Sequence, residues 1–384
     1  MRKENTPFDH TMYMPVLRCK DAEKKALAEL DFAVRGKMTP LIEVPRALRV
    51  KNANPKKPDK LLARDDPRVP MVLDQLLRKV SLSMKQAWHS RQLLLDLQHL
   101  HPEWRTPDGL HPVTACWNYA SEDSLFPPNP IPVVTLSSDF EFCQAVKGVL
   151  EIDNVGIGIR VNREQLGDSN LQSHLMAMLQ KFALSPTQVD LIADFGLVEK
   201  DELRLAWICS RIPWIQKWRT YSCISGSFRK DLAGLDVGEY EFERWEWQSY
   251  RDQISGGDSL QRVPTYGDYA TQCAAYAEPV DGPRPSASLR YTADEKFIVV
   301  RGRALHLGAK YLQYPANAMS LCSRPEFRTI TSCAGDDYIA DKAANMIEIE
   351  RTGKGTGNPQ TWIQASLNRH WTVAAHQIST LFAP

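Results

Sequence analysis

The 384-residue chain lacks any run of about 18 apolar residues, so no membrane-spanning helix is expected. Its eight cysteines, at 19, 116, 143, 209, 223, 273, 322 and 333, contain no Cys-x-x-Cys pair, which argues against a zinc ribbon or a thioredoxin-like site. Several sit among apolar neighbours, as Cys209 in LAWICSRI and Cys223 in YSCIS. They read as buried thiols in a reducing compartment. An excess of one charge is also missing: 47 Lys and Arg nearly balance 46 Asp and Glu, leaving +1. A protein that grips nucleic acid by its backbone would carry a basic bias, so nucleic acid is not expected as the main partner. The motifs G-x-x-x-x-G-K-[ST], G-x-G-x-x-G and G-x-S-x-G are all absent. The nine histidines form no metal constellation, and His370 and His376 lie six apart rather than at the i, i+4 spacing of two ligands on one helix face. The opening MRKENTPFDH has no apolar leader core, and a cytoplasmic location is the expectation.

What the chain does have is alternation. Eight short apolar runs recur in the first 270 residues: MPVLRCK (14–20), TPLIEV (39–44), LLLDL (93–97), IPVVTL (131–136), GIGIRV (156–161), VDLIADFG (189–196), YSCISGS (221–227) and VPTYGDYA (263–270). Helix-like stretches fill most of the gaps. Strand and helix repeated eight times predict an α/β fold of the (β/α)8, TIM-like class. The expected division is a barrel over 1–280 and a hairpin-plus-helices extension over 281–384 packed on it. The alternating EYEFERWEW (239–247) is a strand of its own and a rival for the eighth barrel position.

Residues 21–36 predict a first helix with Asp21 as cap and Gly36 as stop. The polar, proline-rich 51–68 reads as an exposed insertion, and 101–130, rich in Pro, His and Trp, as a second long connection on the functional face. DGPRPSAS at 281–288 reads as a linker, and LRYTADEKFIVVRG as a hairpin turning at 292–295. The glycine-rich GKGTGNPQ leads into a final amphipathic helix, with Asn358 or Thr361 as its cap and Pro359 in its first turn. Gly335-Asp336-Asp337 either caps a helix or supplies metal ligands.

A TIM-like barrel gathers function at the C-terminal ends of its strands. There the sequence offers Arg18, Lys20, Glu43, Asp96, Thr135, Arg160, Asp194, Ser225, Ser227, Tyr266 and Asp268, with Gln98 and His99 just beyond Asp96. Glu43, Asp96, Asp194 and Asp268 are candidates for acid–base work or for holding a divalent metal through oxygen. Arg18, Lys20 and Arg160 are candidates for binding phosphate or carboxylate. The alternative is that these charges only satisfy one another inside the barrel.

Several segments carry a family likeness: YMPVLRCKDAEKKALAEL, TPLIEV, PTYGDYA, LRYT with FIVVRG, and CAGDDYIADKA with GTGNPQTWIQASLNRHWTVAAHQI. Together they resemble the phage and prophage beta protein family over nearly the whole chain. The resemblance implies an immunity-type component, encoded in a mobile element beside a host-killing gene whose lethality it suppresses. It attaches no reaction. By position it singles out Gly267, Asp268, Asp336, Asn358, Trp362 and His370. Family members often carry two adjacent histidines near the end, where this chain has Arg369-His370.

Two functions of different class follow as expectations. One is a phage-defence or toxin-neutralising protein that acts through the product of a neighbouring gene. The other is a metal-assisted hydrolase acting on a phosphate-bearing or nucleotide substrate at the barrel mouth. The lysines of 51–60 and the scattered tryptophans leave a third, weaker reading, a nucleic-acid binder.

Overall fold

The computed structural model describes residues 7–52, 59–88, 91–122, 128–230, 232, 234–257, 259–276 and 285–383. Part of the 51–68 insertion (53–58) and half of the 281–288 linker (281–284) lie outside the described residues.

Thirteen strands occur among these residues: β1 (Tyr13–Leu17), β2 (Leu41–Glu43), β3 (Arg49–Val50), β4 (Lys60–Leu61), β5 (Gln92–Asp96), β6 (Asn129–Thr135), β7 (Ile157–Asn162), β8 (Val189–Leu197), β9 (Thr220–Gly226), β10 (Gly238–Glu243), β11 (Thr265–Asp268), β12 (Ser286–Thr292) and β13 (Lys296–Ala304). Eight of them close into a barrel in the order β1-β11-β9-β8-β7-β6-β5-β2. Every neighbouring pair in it is parallel. The fold is a (β/α)8 barrel, and all eight expected runs supply its strands. The eighth position belongs to β11, not to 239–247.

Alternation along each strand sorts its side chains into two layers. Met14, Val16, Leu41, Leu94, Ile131, Val133, Ile192 and Ile224 pack together inside the barrel. Tyr13, Leu17, Ile42, Leu95, Ile159, Leu191, Cys223 and Tyr266 join the helices in the outer core. Gly158 faces inward, where an added Cβ would stand 3.0 Å from Leu94 and 3.1 Å from Val133.

The helix after β1 is Asp21–Ala28, and a separate short helix, Phe32–Arg35, follows it. The single helix expected over 21–36 is split because Asp31 caps a new start, its carboxylate accepting the Ala33 amide at 2.7 Å. The stretch 101–130 is less irregular than its composition suggests. It contains the helix Pro112–Ser121, capped by His111 and opened by proline.

β10, β12 and β13 form an antiparallel sheet in the order β10-β13-β12. With the helices Gln313–Cys322 and Ala334–Ala344 it encloses a separate core containing Leu289, Tyr291, Ile298, Tyr314, Leu321, Ile339 and Trp362. Two elements cross the residue-280 division. β10 arrives from the connection after β9. The last helix, Pro359–Leu381, gives Trp362 and Ala365 to this second core but Leu367, Trp371, Ala374, Ala375 and Ile378 to the barrel's outer layer. There Asn368 donates to the Ala26 carbonyl of the first helix. The last helix therefore occupies the place of the barrel's eighth helix. The smaller sheet and its helices are a cap: β12, β13 and the helices are inserted between the eighth strand and that helix, and β10 joins them from before that strand.

Candidate functional site

The inward parity of β2, β5, β7 and β8 brings Glu43, Asp96, Arg160 and Asp194 to one point at the barrel mouth. Arg160 is the hub. Its Nη1 donates to Glu43 Oε1 at 2.8 Å and to Asp96 Oδ2 at 2.7 Å. Its Nε and Nη2 both donate to Asp194 Oδ2, at 3.0 and 2.7 Å. Tyr269, one residue past β11, completes the ring: Arg160 Nη2 donates to its hydroxyl at 2.8 Å, and that hydroxyl donates to Asp194 Oδ2 at 2.8 Å.

The electrostatics follow from the hub. Burial pushes the Glu43 carboxyl up, but Arg160 and His99 overcome it and hold the group at about 2. Asp96, wholly buried and beside Glu43, is raised despite Arg160. Burial opposes the Arg160 charge, yet Tyr269 and the three carboxylates hold its proton well above the usual guanidinium value. A divalent cation does not fit this arrangement. One oxygen of each carboxylate already accepts an N–H bond from a guanidinium at their centre, and a second cation would meet that charge.

A strap lies over the hub. Arg18 extends from the end of β1 and donates to the carbonyls of Cys273 (2.7 Å), Ala274 (3.3 Å) and Ala275 (3.2 Å). Its Nε stands 3.6 Å from Glu43 Oε2. Tyr276 stacks on His99 at 4.2 Å between ring centres, and its hydroxyl accepts the Arg46 amide. The segment 269–276 thus crosses from β11 toward the β5 connection. Gln98 holds Asp96 from the outer side, donating from its amide side chain at 2.7 Å and from its backbone at 2.9 Å.

The other sequence candidates lie elsewhere. Lys20 is exposed at the start of the first helix, where the positive φ of 51° at Cys19 has ended the strand's alternation. Ser225, Tyr266 and Asp268 have the opposite parity and face outward, so Asp268 does not join the ring. Its carboxylate accepts the hydroxyls of Tyr13 (2.6 Å) and Tyr266 (2.9 Å), the Ala270 amide (3.0 Å) and His370 Nε2 (2.9 Å). His370 Nδ1 faces the Thr292 hydroxyl at 2.9 Å. Burial pushes Asp268 up, but His370, Arg244 and Tyr13 hold it at about 2, while burial keeps His370 below its usual value. An ionised Asp268 and a neutral His370 protonated on Nε2 satisfy every one of these bonds. This is a buried junction of β1, β11, β12 and the last helix, closed to substrate.

Asp336 pairs with Arg369 at 3.0 Å, both fully buried. Asn358 caps the last helix, accepting the Gln360 and Thr361 amides at 2.9 and 3.2 Å, as the sequence suggested. Trp362 stacks on Tyr314 at 5.1 Å in the cap core. Among the described residues no group of three His, Cys, Asp or Glu is arranged to hold a metal ion.

Sequence reading missed Tyr269 and the pair Arg244–Glu246. Tyr269 lies in VPTYGDYA, but its inward turn depends on where β11 ends. Arg244 is wholly buried and donates to the carbonyls of Ala293 and Asp294 and to Gln377. Glu246 stands 3.5 Å from it, and burial pushes its carboxyl up to about 7.

No curated protein is significantly similar to this chain. Among solved structures it is similar to a GH138 enzyme targeting pectin rhamnogalacturonan II, at 12% identity and a TM-score of 0.37, over 91% of this chain and 45% of that one. The chain thus spans less than half the length of that structure. The sequence profile described as Beta protein matches residues 13–376, nearly the whole chain, and the chain belongs to the Beta protein family.

Proposed function

We propose that this chain is a phage-defence or toxin-neutralising protein of a mobile-element cassette, acting in the cytoplasm by binding the product of a neighbouring gene. The Arg160 hub carries the choice of binding over catalysis. The acids that catalysis would use each give an oxygen to one guanidinium, and its charge opposes both a metal and a proton taken from water at Glu43, Asp96 and Asp194. Membership of the Beta protein family supports the setting. The cap supports a partner role: Leu307, Tyr311, Met319 and Ile347, in the segment between the eighth strand and the last helix, are each at least 43% exposed. The hydrolase reading has less support, because its metal would compete with Arg160.

Co-expression with the neighbouring gene product, followed by purification and a phage-plating assay, tests the proposal. The expected result is a stable complex, with protection retained in a folded Glu43→Gln, Asp194→Asn double variant. A chain that stays alone with every neighbour overturns the binding role. Loss of protection in the folded double variant, with the complex intact, favours the hydrolase.

A further inference from the structure

Beside the hub, at the C-terminal ends of β5 and β6, the rim opens into a cleft. Its polar lining includes Gln98, His101, His111, Thr135, Ser137 and Asp139. Its apolar lining comes from Leu97, Leu100, Pro102 and Phe142.

The protons on the two imidazoles can be assigned from their bonds. His101 Nδ1 accepts the Glu103 amide at 3.2 Å, and His111 Nδ1 accepts the Val113 amide at 3.2 Å. A neutral imidazole that accepts at Nδ1 carries its proton on Nε2. Each ring therefore has an Nε2–H donor with no hydrogen-bond acceptor among the described residues. Burial lowers the His111 imidazole to about 4 and lowers that of His101 as well, so both are neutral near pH 7. Acceptors line the same cleft. Asp139 uses Oδ1 for the Phe142 amide, leaving Oδ2, and Gln98 uses its amide nitrogen for Asp96, leaving Oε1.

The sign of the cleft selects the ligand. An anion would meet the Asp139 carboxylate. A cation would meet the two Nε2–H donors and the first turns of the helices Pro112–Ser121 and Phe140–Asp153, which begin at this cleft. A hydroxyl both donates and accepts, so adjacent hydroxyls on one ring match alternating Nε2–H donors and carboxylate or amide acceptors. The apolar lining suits the C–H face of such a ring. We propose that this cleft binds a neutral sugar ring, either a free monosaccharide or the ribose of a nucleoside.

Isothermal titration of the full chain with D-ribose, D-glucose, uridine, inorganic phosphate and ethylamine tests this. Saturable binding of at least one of the first three is expected; binding of uridine but not of either free sugar assigns the ribose of a nucleoside. His111→Asn and Asp139→Asn each keep an acceptor for the helix they cap, and each removes one ligand bond. Each should weaken binding about tenfold. The proposal is overturned if none of the three neutral probes binds at millimolar concentration, if phosphate or ethylamine binds more tightly than all of them, or if both variants bind as the wild type does.

Discussion

His370 Nε2 lies 2.9 Å from Asp268 Oδ2, and this contact locks the last helix to the end of the barrel's eighth strand. Both residues are buried, and three further donors converge on the same carboxylate. Asp268→Ala strands two tyrosine hydroxyls, a backbone amide and an imidazole away from water. A loss of about 3–5 kcal/mol is expected in urea unfolding. His370→Gln, which can still donate to Asp268, should lose less.

Removing the hub guanidinium leaves Glu43, Asp96 and Asp194 facing one another without a cation. Arg160→Met is expected to cost about 3–5 kcal/mol near pH 7 and to recover part of that under mild acid. In that variant, millimolar magnesium or calcium should raise the melting temperature, since the three carboxylates then form an oxygen-lined cation site. The wild type should show no such response. Scanning calorimetry with and without the ions checks both halves.

Glu246 gives stability an unusual pH arm. An unfolded glutamate titrates near 4.5, whereas in the fold this group titrates at about 7. The folded state holds the proton more tightly, so the contribution is fully present below 4.5 and is lost as the pH rises through 7. Its size is roughly 3 kcal/mol. Glu43 and Asp268, held at about 2, act in the opposite sense: their contribution is present above ordinary carboxylate values and fades as the pH falls toward 2. Glu246→Gln should flatten the decline between pH 4.5 and 7 and leave the acid limb unchanged, as read by urea midpoints across the range.

Asn358 holds two amides of the last helix. Asn358→Ala should cost about 1 kcal/mol, and Asn358→Asp close to nothing, because aspartate caps equally well. Thermal melts of the two variants distinguish a capping residue from one that binds a ligand.

The eight strands were legible because each is a short apolar run between clear turn signals. The rim was half legible. Alternation grouped residues of one parity but could not say which parity faces inward. Glu43, Asp96 and Asp194 therefore fell correctly beside Arg160, while Asp268 was grouped with them and in fact faces the last helix. The strand's alternation ends between Arg18 and Lys20 at one backbone angle, that of Cys19, which no spacing rule anticipates. The helix Pro112–Ser121 was hidden by a composition of Pro, His and Trp that resembles a loop, although proline after a capping histidine is a helix opening. The cap was legible as a hairpin with helices. Its third strand was legible as a strand at 239–247, but its place in the cap was not, because β10 pairs with β13 across an intervening barrel strand.

The position of the last helix has a consequence for synthesis. The first strand pairs with β11, and the first helix is covered by residues near 370, so the layer over that helix cannot close until Asn368 has left the ribosome. Nascent chains would expose the apolar seam around Ala26 and Leu27 until then. That makes the seam a natural place for chaperones to hold, and makes C-terminal truncation far more damaging than loss of a peripheral tail.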